Sequence, residues 1–243
     1  MTASQIQAVP DRWRRLRRFV RRRLDRNSEL GLRLTINAVL FGLAVWAFAG
    51  LLEEVLDNAS LVRWDIAANA WLHDHATMTG LRIFHAITLV GSPGVWLVTA
   101  LFALWLLWRR ERFLFWAWIV SNAGGGLLQL LLKATVHRNR PQYAAGYLHG
   151  QSYSFPSGHT MSATITWSLM VVCAGLALGW RGRRRAMLYV ASTTLILAIG
   201  FSRLYLGVHY PSDVVGGLAA GTAWVVLCTT AIRIADSAEA ARE

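Results

Sequence analysis

The sequence predicts an all-α, polytopic membrane protein, a bundle of six transmembrane helices with one short interfacial helix. Apolar residues make up 55% of the chain and charged residues only 16%, well below the roughly 25% of soluble domains. The apolar residues occur in runs close to the ~20 residues that cross a bilayer. Basic clusters separate these runs, as expected for loops at a membrane surface.

The first apolar run, residues 34–52, follows a strongly basic stretch. We predict an uncleaved anchor, because the run is longer than the apolar part of a signal peptide, which is the alternative. Residues 65–75 combine Trp, His and Asp, and are predicted to form a helix in the interface. The later spans are predicted at 94–108 (with a start as early as 81), 113–135, 159–180, 186–201 and 214–232.

Basic residues predict the orientation of the bundle. Ten of the 25 lie within residues 12–33, and two further clusters lie at 109–112 and 181–185. An N-in, C-in topology places these clusters and the C-terminus in the cytoplasm. Six basic residues then remain on the outer side: Arg63, Arg82, Lys133, Arg138, Arg140 and Arg203.

The predicted organisation is a basic cytoplasmic segment at 1–33, a transmembrane domain at 34–233 and a cytoplasmic tail at 234–243. The net charge of +12 does not indicate nucleic-acid binding, because the basic residues flank apolar segments rather than forming a stripe on a polar domain. The two cysteines lie within apolar runs, so no disulfide framework is expected.

The first outward-facing motif begins at Lys133, the single lysine of the chain, and ends at Arg140-Pro141. Lys133 and Arg140 are seven residues apart, which places both on one helical face. A basic anchor at the membrane interface is the structural alternative. The positive-inside rule disfavours basic residues on the outer side of the membrane, and this favours a functional role for the cluster over a simple anchor.

The second motif, Pro156-Ser157-Gly158-His159, opens the fourth predicted span. Ser157 suits an N-cap, and Gly158 permits close approach of a ligand to the backbone. A helix N-terminus attracts anions, and His159 would face that anion from the first turn. An ordinary helix cap is the alternative.

The third motif contains Ser202-Arg203, His209 and Asp213. At a separation of four residues, Asp213 can accept a hydrogen bond from one imidazole nitrogen of His209. The other nitrogen is then available as a nucleophile or base, although a purely structural pair is the alternative. Together the three motifs place three cations, two histidines and a helix N-terminus on one side, which favours a phosphate site. No carboxylate cluster suited to Mg²⁺ accompanies them, so we expect no metal and no other cofactor.

At these residues the chain resembles the type 2 phosphatidic acid phosphatase family, which includes vanadium haloperoxidases and bacterial acid phosphatases. The family signature is Lys, six residues, Arg-Pro; then Pro-Ser-Gly-His; then Ser-Arg, five residues, His, three residues, Asp. All three parts match without substitution and in order, and the likeness covers about residues 34–233.

The resemblance implies a role for each matched residue. His209 would attack phosphorus, Asp213 would orient His209, and His159 would protonate the leaving oxygen and then activate water. The phosphate oxygens would be held by Lys133, Arg140, Arg203, Ser157 and Gly158. His137 and Arg138 lie outside the signature; lining the entrance or binding a second phosphate is an alternative role for them.

The expected function is hydrolysis of a lipid phosphate or diphosphate through a phosphohistidine, at the extracytoplasmic face of the inner (plasma) membrane. Undecaprenyl diphosphate, phosphatidate and phosphatidylglycerophosphate are the candidate substrates. The alternatives are a lipid phosphotransferase and a non-catalytic lipid-binding or transport protein. The expected partners are the lipid substrate and the bilayer, without nucleic acid, and the oligomeric state stays open.

Overall fold

The computed structural model describes residues 29–57, 60–91, 93–143 and 153–240, and no β-strand occurs within them. The described residues up to Leu40 and those from Phe41 onward belong to two different compact units, and the packing below lies within the second. The predicted basic segment is outside the described residues up to position 28. The described helices are α1 Glu29–Leu56, α2 Ser60–Asp74, α3 Met78–Leu89, α4 Pro93–Trp108, α5 Arg112–Thr135, α6 Gly158–Ala177, α7 Gly182–Tyr205 and α8 Pro211–Ala240.

Six segments are long and apolar enough to cross a membrane, which confirms the predicted all-α, six-span fold class. The second span comprises both α3 and α4, Met78–Trp108. Of its two predicted starts, the one at residue 81 is therefore closer to the observed start. The other five spans each contain one helix: α1, α5, α6, α7 or α8. The remaining helix, α2, covers the predicted interfacial segment and begins five residues earlier; its place at an interface stays a prediction.

The outer surface of the bundle exposes many large apolar side chains, and their exposure to water would be unfavourable. Large aromatic side chains point outward, among them Trp46 (76% exposed), Trp108 (77%) and Trp116 (63%). In hydrocarbon such surface is solvated by lipid tails, while the backbone polar groups are satisfied inside each helix. The exposed surface therefore agrees with a multi-pass membrane protein.

Helix α6 lies at the centre of the bundle. In its most apolar window 61% of the residues are buried, against 33% or fewer in the other spans. Its residues Met161, Ile165, Leu169 and Cys173 are spaced by four and form one buried face within the main core. This stripe follows from the 3.6-residue helical repeat, and it holds the start of α6 at a fixed place.

Two glycines allow α8 to approach α6 closely. A Cβ on Gly217 would lie 2.7 Å from the carbonyl oxygen of Ser157, and one on Gly221 would lie 2.8 Å from Cβ of Thr164. Small residues four apart are a common means of packing membrane helices backbone to backbone. As a result the N-termini of α6 and α8, which carry the second and third motifs, are neighbours.

Helix ends depart from the hydropathy-based boundaries where polar residues continue the helix. Helix α7 begins at Gly182 rather than 186, and α8 continues through position 233 to Ala240. Helix α6 ends at Ala177, three residues before the predicted end, and Gly179 follows with φ = +61°. Hydropathy detects only the apolar part of a span, whereas helical hydrogen bonding extends into its polar ends.

Candidate active site

The three motifs converge at one end of a cavity of about 780 Å³ between α4, α5 and α6. Five of the eight predicted site residues line this cavity: Lys133, Arg140, Gly158, His159 and His209. The other three lie behind them and are almost fully buried: Ser157, Arg203 and Asp213. The structure thus brings together residues that are up to 80 positions apart in the chain.

His209 lies in the turn between α7 and α8, with only 1% of its side chain exposed. Its Nδ1 is 3.3 Å from Oδ2 of Asp213, and its Nε2 is 3.2 Å from Nη1 of Arg140. An arginine nitrogen can only donate, so Nε2 is the acceptor and Nδ1 carries the proton that Asp213 accepts. This tautomer leaves the lone pair on Nε2, the nitrogen that faces the cavity cations.

Asp213 is held by donors on both carboxylate oxygens. Oδ2 accepts the backbone N–H of Tyr210 at 2.8 Å and a short hydrogen bond from the hydroxyl of Ser154, in addition to the contact with His209. Oδ1 accepts from Nη1 of Arg138 at 2.7 Å. A carboxylate with this many donors has a fixed orientation, and it is the ionised form that they favour.

Burial lowers the pKa of both His209 and Arg140, whose side chains meet at Nε2 of His209. Desolvation lowers the pKa of His209 to about 4, a larger effect than the opposing attraction of Asp213. Desolvation also lowers the pKa of Arg140, although an arginine remains protonated in proteins. At neutral pH the site therefore contains a neutral imidazole beside a guanidinium cation.

The cations are anchored so that donors remain for an anion. Lys133 donates to the backbone oxygen of Tyr153 at 2.8 Å, and Arg140 donates to the oxygen of Val208 at 2.9 Å. Arg203 is 4% exposed and donates from Nη1 to the hydroxyl of Thr88 at 2.7 Å. Nε of Arg203 is buried without a partner among the described residues. An unpaired buried donor is costly, and an anionic oxygen would satisfy it.

The start of α6 supplies backbone donors to the same place. Ser157 occupies the predicted N-cap position. Its side chain, however, accepts from the hydroxyl of Thr160 at 2.9 Å and makes no capping hydrogen bond to the backbone. The first N–H groups of a helix have no partner within it. A Cβ on Gly158 would lie 2.6 Å from Nε2 of Gln129, so the glycine lets the Gln129 side chain pack against this helix start.

Away from the cations the cavity continues along α5 into the apolar part of the bundle. It extends from Lys133 to Ile119, which corresponds to about 20 Å along the helix at ~1.5 Å per residue. Its walls are mostly apolar and include Val95, Trp96 and Leu127. One end of the cavity thus suits an anion and the other a hydrocarbon chain.

Sequence reasoning missed the environment of Arg138. Its guanidinium is engaged by two buried carboxylates, those of Asp65 at 2.6 Å and Asp213 at 2.7 Å, and Arg138 does not line the cavity. Arg138 therefore belongs to a buried ion-pair network, and its alternative role as the ligand of a second phosphate stays a prediction. His137 is exposed and packs edge-to-face on Tyr153, 4.4 Å between ring centroids, so its expected place at the entrance stays a prediction.

The fold and the site define a multi-pass helical membrane protein with a histidine- and arginine-rich pocket at the end of an apolar cavity. The model of the PAP2 superfamily matches residues 114–235, half of the chain, and this segment contains all three motifs. The chain belongs to the PAP2 superfamily, as the motif resemblance predicted.

Two curated relatives and one solved structure illustrate the range of similar proteins. Phosphatidylglycerophosphatase B of Bacillus subtilis is 36% identical over 95 residues, 39% of this chain and 46% of that protein. Decaprenylphosphoryl-5-phosphoribose phosphatase of Mycobacterium tuberculosis is 35% identical over 132 residues, 52% of this chain and 65% of that protein. The matches therefore span about half to two thirds of these relatives.

The crystal structure of a transmembrane PAP2-type phosphatidylglycerolphosphate phosphatase from Bacillus subtilis superposes with a TM-score of 0.70 at 23% identity. The alignment covers 83% of this chain and 96% of that chain. At this identity the likeness concerns the fold, and it confirms the predicted helical bundle.

Proposed function

We propose that this protein is a membrane phosphatase that hydrolyses a lipid phosphate ester or anhydride through a phosphohistidine on His209. The observation that carries the proposal is the position of His209 Nε2. It bears a lone pair, lies 3.2 Å from Arg140 and faces a cavity whose polar end contains Lys133 and His159. Membership of the PAP2 superfamily and the names of the relatives support the same class of reaction.

In the first step, Nε2 of His209 attacks phosphorus in line with the bond to the lipid oxygen. The N–P bond forms as that P–O bond breaks, and His159 donates a proton to the departing oxygen. Positive charge then develops on the imidazole, and the carboxylate of Asp213 stabilises it through the Nδ1–H hydrogen bond. The lipid alcohol or lipid monophosphate is the first product.

In the second step, water attacks the phosphoryl group carried by His209. His159, which gave up its proton, accepts one from this water, and the N–P bond breaks to release inorganic phosphate. Negative charge on the equatorial oxygens is stabilised by Lys133, Arg140 and Arg203 and by the N–H groups at the start of α6. Ser157 and Gly158 contribute by forming that helix start.

The cavity supports a lipid as the substrate. A phosphate bound among the cations would place the attached alcohol toward Gln129 and the apolar walls beyond it, between α4 and α5. Undecaprenyl diphosphate, phosphatidate and phosphatidylglycerophosphate all present a phosphate on a hydrocarbon-bearing alcohol, so all three are candidates.

The test is phosphate release by detergent-purified protein in EDTA from these three lipids, beside His209→Ala and the control His75→Ala. His75 is an exposed histidine, so its loss should leave the rate within about twofold of the unmodified protein. We expect the unmodified protein to release inorganic phosphate and to carry acid-labile phosphate. His209→Ala should do neither. Equal activity of His209→Ala and the unmodified protein would overturn the proposal.

The same assay separates hydrolysis from transfer. A hydroxyl-bearing acceptor lipid is added with the donor, and both free phosphate and phosphorylated acceptor are measured. Free phosphate as the main product supports the phosphatase. Phosphorylated acceptor formed in its place would indicate a phosphotransferase that uses the same phosphohistidine.

We further propose that the site faces the extracytoplasmic side of the plasma membrane, because N-in, C-in orientation places the basic clusters 109–112 and 181–185 inside. A membrane-impermeant phosphatase substrate presented to intact spheroplasts tests this. We expect activity without lysis. Activity that is detected only after lysis would mean that the site faces the cytoplasm.

A further inference from the structure

Arg138 connects two buried carboxylates through its two terminal nitrogens. Its Nη1 donates to Oδ1 of Asp213 at 2.7 Å and its Nη2 donates to Oδ2 of Asp65 at 2.6 Å. The side chains of both aspartates are fully buried, and that of Arg138 is 9% exposed. Asp65 lies outside the three motifs, Arg138 occupies one of the six unspecified positions of the first motif, and neither residue lines the cavity.

Helix α2 contacts both ends of the turn that carries the nucleophile. Asp65 accepts the backbone N–H of Ser212 at 3.0 Å through Oδ1 and a short hydrogen bond from the Ser212 hydroxyl through Oδ2. One turn later, the amide of Asn69 donates to the backbone oxygen of His209 at 3.3 Å. The segment from His209 to Ser212 is therefore held from α2 at both ends.

The two carboxylates share the single cation of Arg138. Because Nη2 of Arg138 donates to Asp65 and Nη1 donates to Ser212 as well as to Asp213, the guanidinium compensates Asp213 only in part. Asp213 therefore stays an effective acceptor for Nδ1–H of His209. The ring of Tyr210 lies 4.4 Å from the Arg138 guanidinium carbon and limits its movement on that side. Arginine suits this task because its planar fork donates in two fixed directions.

We propose that Asp65 and Arg138 are positioning residues for the nucleophile. Asp65 fixes Arg138, and Arg138 fixes the carboxylate of Asp213 so that it receives Nδ1–H of His209 and leaves Nε2 ready for phosphoryl transfer. This inference rests on the function proposed above and deepens it, since it assigns to α2 a part in a site whose motifs lie in α5 to α8.

The principal test is Asp65→Asn, which keeps an oxygen for the Ser212 N–H but replaces the charged oxygen that faces Arg138. We expect kcat to fall by about 10²-fold, as for small displacements of reacting groups, while KM stays within twofold because the phosphate ligands are untouched. Asp74→Asn is the matched control, since Asp74 lies in the same helix and is exposed; its kcat should be unchanged.

A second pair of variants addresses Arg138 in case Asp65→Asn does not fold. Arg138→Lys keeps the charge without the two-pronged geometry, whereas Arg138→Met removes both. We expect kcat per folded molecule to decrease from the unmodified protein to Arg138→Lys and again to Arg138→Met. Equal kcat in all folded variants, with a lower Tm as the sole effect, would mean a structural role and overturn the inference.

A measurement without turnover separates this inference from the function itself. The ¹⁵N spectrum of histidine-labelled protein reports which imidazole nitrogen carries the proton, and His209→Gln assigns the signal among the seven histidines. We expect a protonated Nδ1 and an unprotonated Nε2 in the unmodified protein, and a mixture of tautomers in Asp65→Asn.

If no lipid is hydrolysed but the tautomer changes as expected, the phosphatase proposal fails and the positioning role stands. An unchanged tautomer with unchanged kcat in Asp65→Asn overturns the positioning role and leaves the phosphatase proposal intact.

Discussion

Ser157 donates its backbone N–H to the backbone oxygen of Asp213 at 2.9 Å. This hydrogen bond joins the residue that precedes α6 to the first turn of α8. The helix start that offers N–H groups to an anion is consequently joined through the backbone to the residue whose carboxylate orients His209. Gly217 lies so close to Ser157 that a larger residue at position 217 would clash at the same junction.

Substitution of Gly217 by alanine should disturb this junction. The added Cβ would lie 2.7 Å from the oxygen of Ser157, so α6 and α8 must separate, at a cost of about 1–3 kcal/mol for such overpacking. We expect a lower Tm in detergent and a reduced rate of phosphate release. Gly50→Ala is the control, because a Cβ on Gly50 meets no atom within 4 Å. Equal Tm values for the two variants would contradict the predicted packing.

The stability of the protein should depend on pH through His209. Burial lowers its pKa from 6.5 to about 4, so between these pH values the unfolded chain binds the proton more readily than the folded one. The free energy of unfolding should therefore rise with pH across this interval, by at most ~1.4 kcal/mol per pH unit. Thermal unfolding of the unmodified protein and of His209→Gln between pH 4 and 7 measures this. Parallel Tm curves would show that His209 is not the group responsible.

The nucleophile should also stay neutral in weakly acidic solution. Because the pKa of His209 is lowered to about 4, its protonation removes activity only below about pH 5, rather than near the 6.5 of a free imidazole. We expect the rate of phosphohistidine formation under single-turnover conditions to show no loss near pH 6.5 that is attributable to this group. An acid limb near pH 6.5 that moves to lower pH in Asp213→Asn, where the attraction that raises the pKa of His209 is lost, would contradict this assignment.

The sequence predicted those features that depend on local pattern. Hydropathy identified the spans, and the spacing of four between His209 and Asp213 predicted their contact, because one turn separates them. Arg138 and Asp65 are 73 positions apart, so no local pattern links them, and a buried ion pair is established only when α2 packs on the end of α8. The side chain of Ser157 illustrates the same limit, because its hydroxyl bonds Thr160 instead of the backbone that a cap would satisfy.

Thr88 offers a milder test of the phosphate ligands. Its hydroxyl accepts from Nη1 of Arg203 at 2.7 Å, and Thr88→Val removes this acceptor at nearly constant volume. We expect vanadate, which mimics the phosphoryl group in transfer, to bind about fivefold more weakly, as for the loss of ~1 kcal/mol of hydrogen bonding. Arg203→Met should weaken binding further, by roughly 10²-fold or more. Vanadate inhibition that is equal in all three proteins would exclude Arg203 as a ligand.

Filling the apolar end of the cavity should separate lipid recognition from chemistry. Gly126 lines the cavity, and a Cβ there meets no atom within 4 Å, so Gly126→Leu extends into the space assigned to the hydrocarbon chain. We expect kcat/KM for a long-chain lipid phosphate to fall by about tenfold or more, while a short-chain, water-soluble phosphate is hydrolysed at the unmodified rate. Gly50→Leu serves as the control, because Gly50 has open space around it but does not line the cavity. Equal losses for the long and short substrates in Gly126→Leu would indicate damage to the phosphate site, and no loss for either would place the lipid chain outside this cavity.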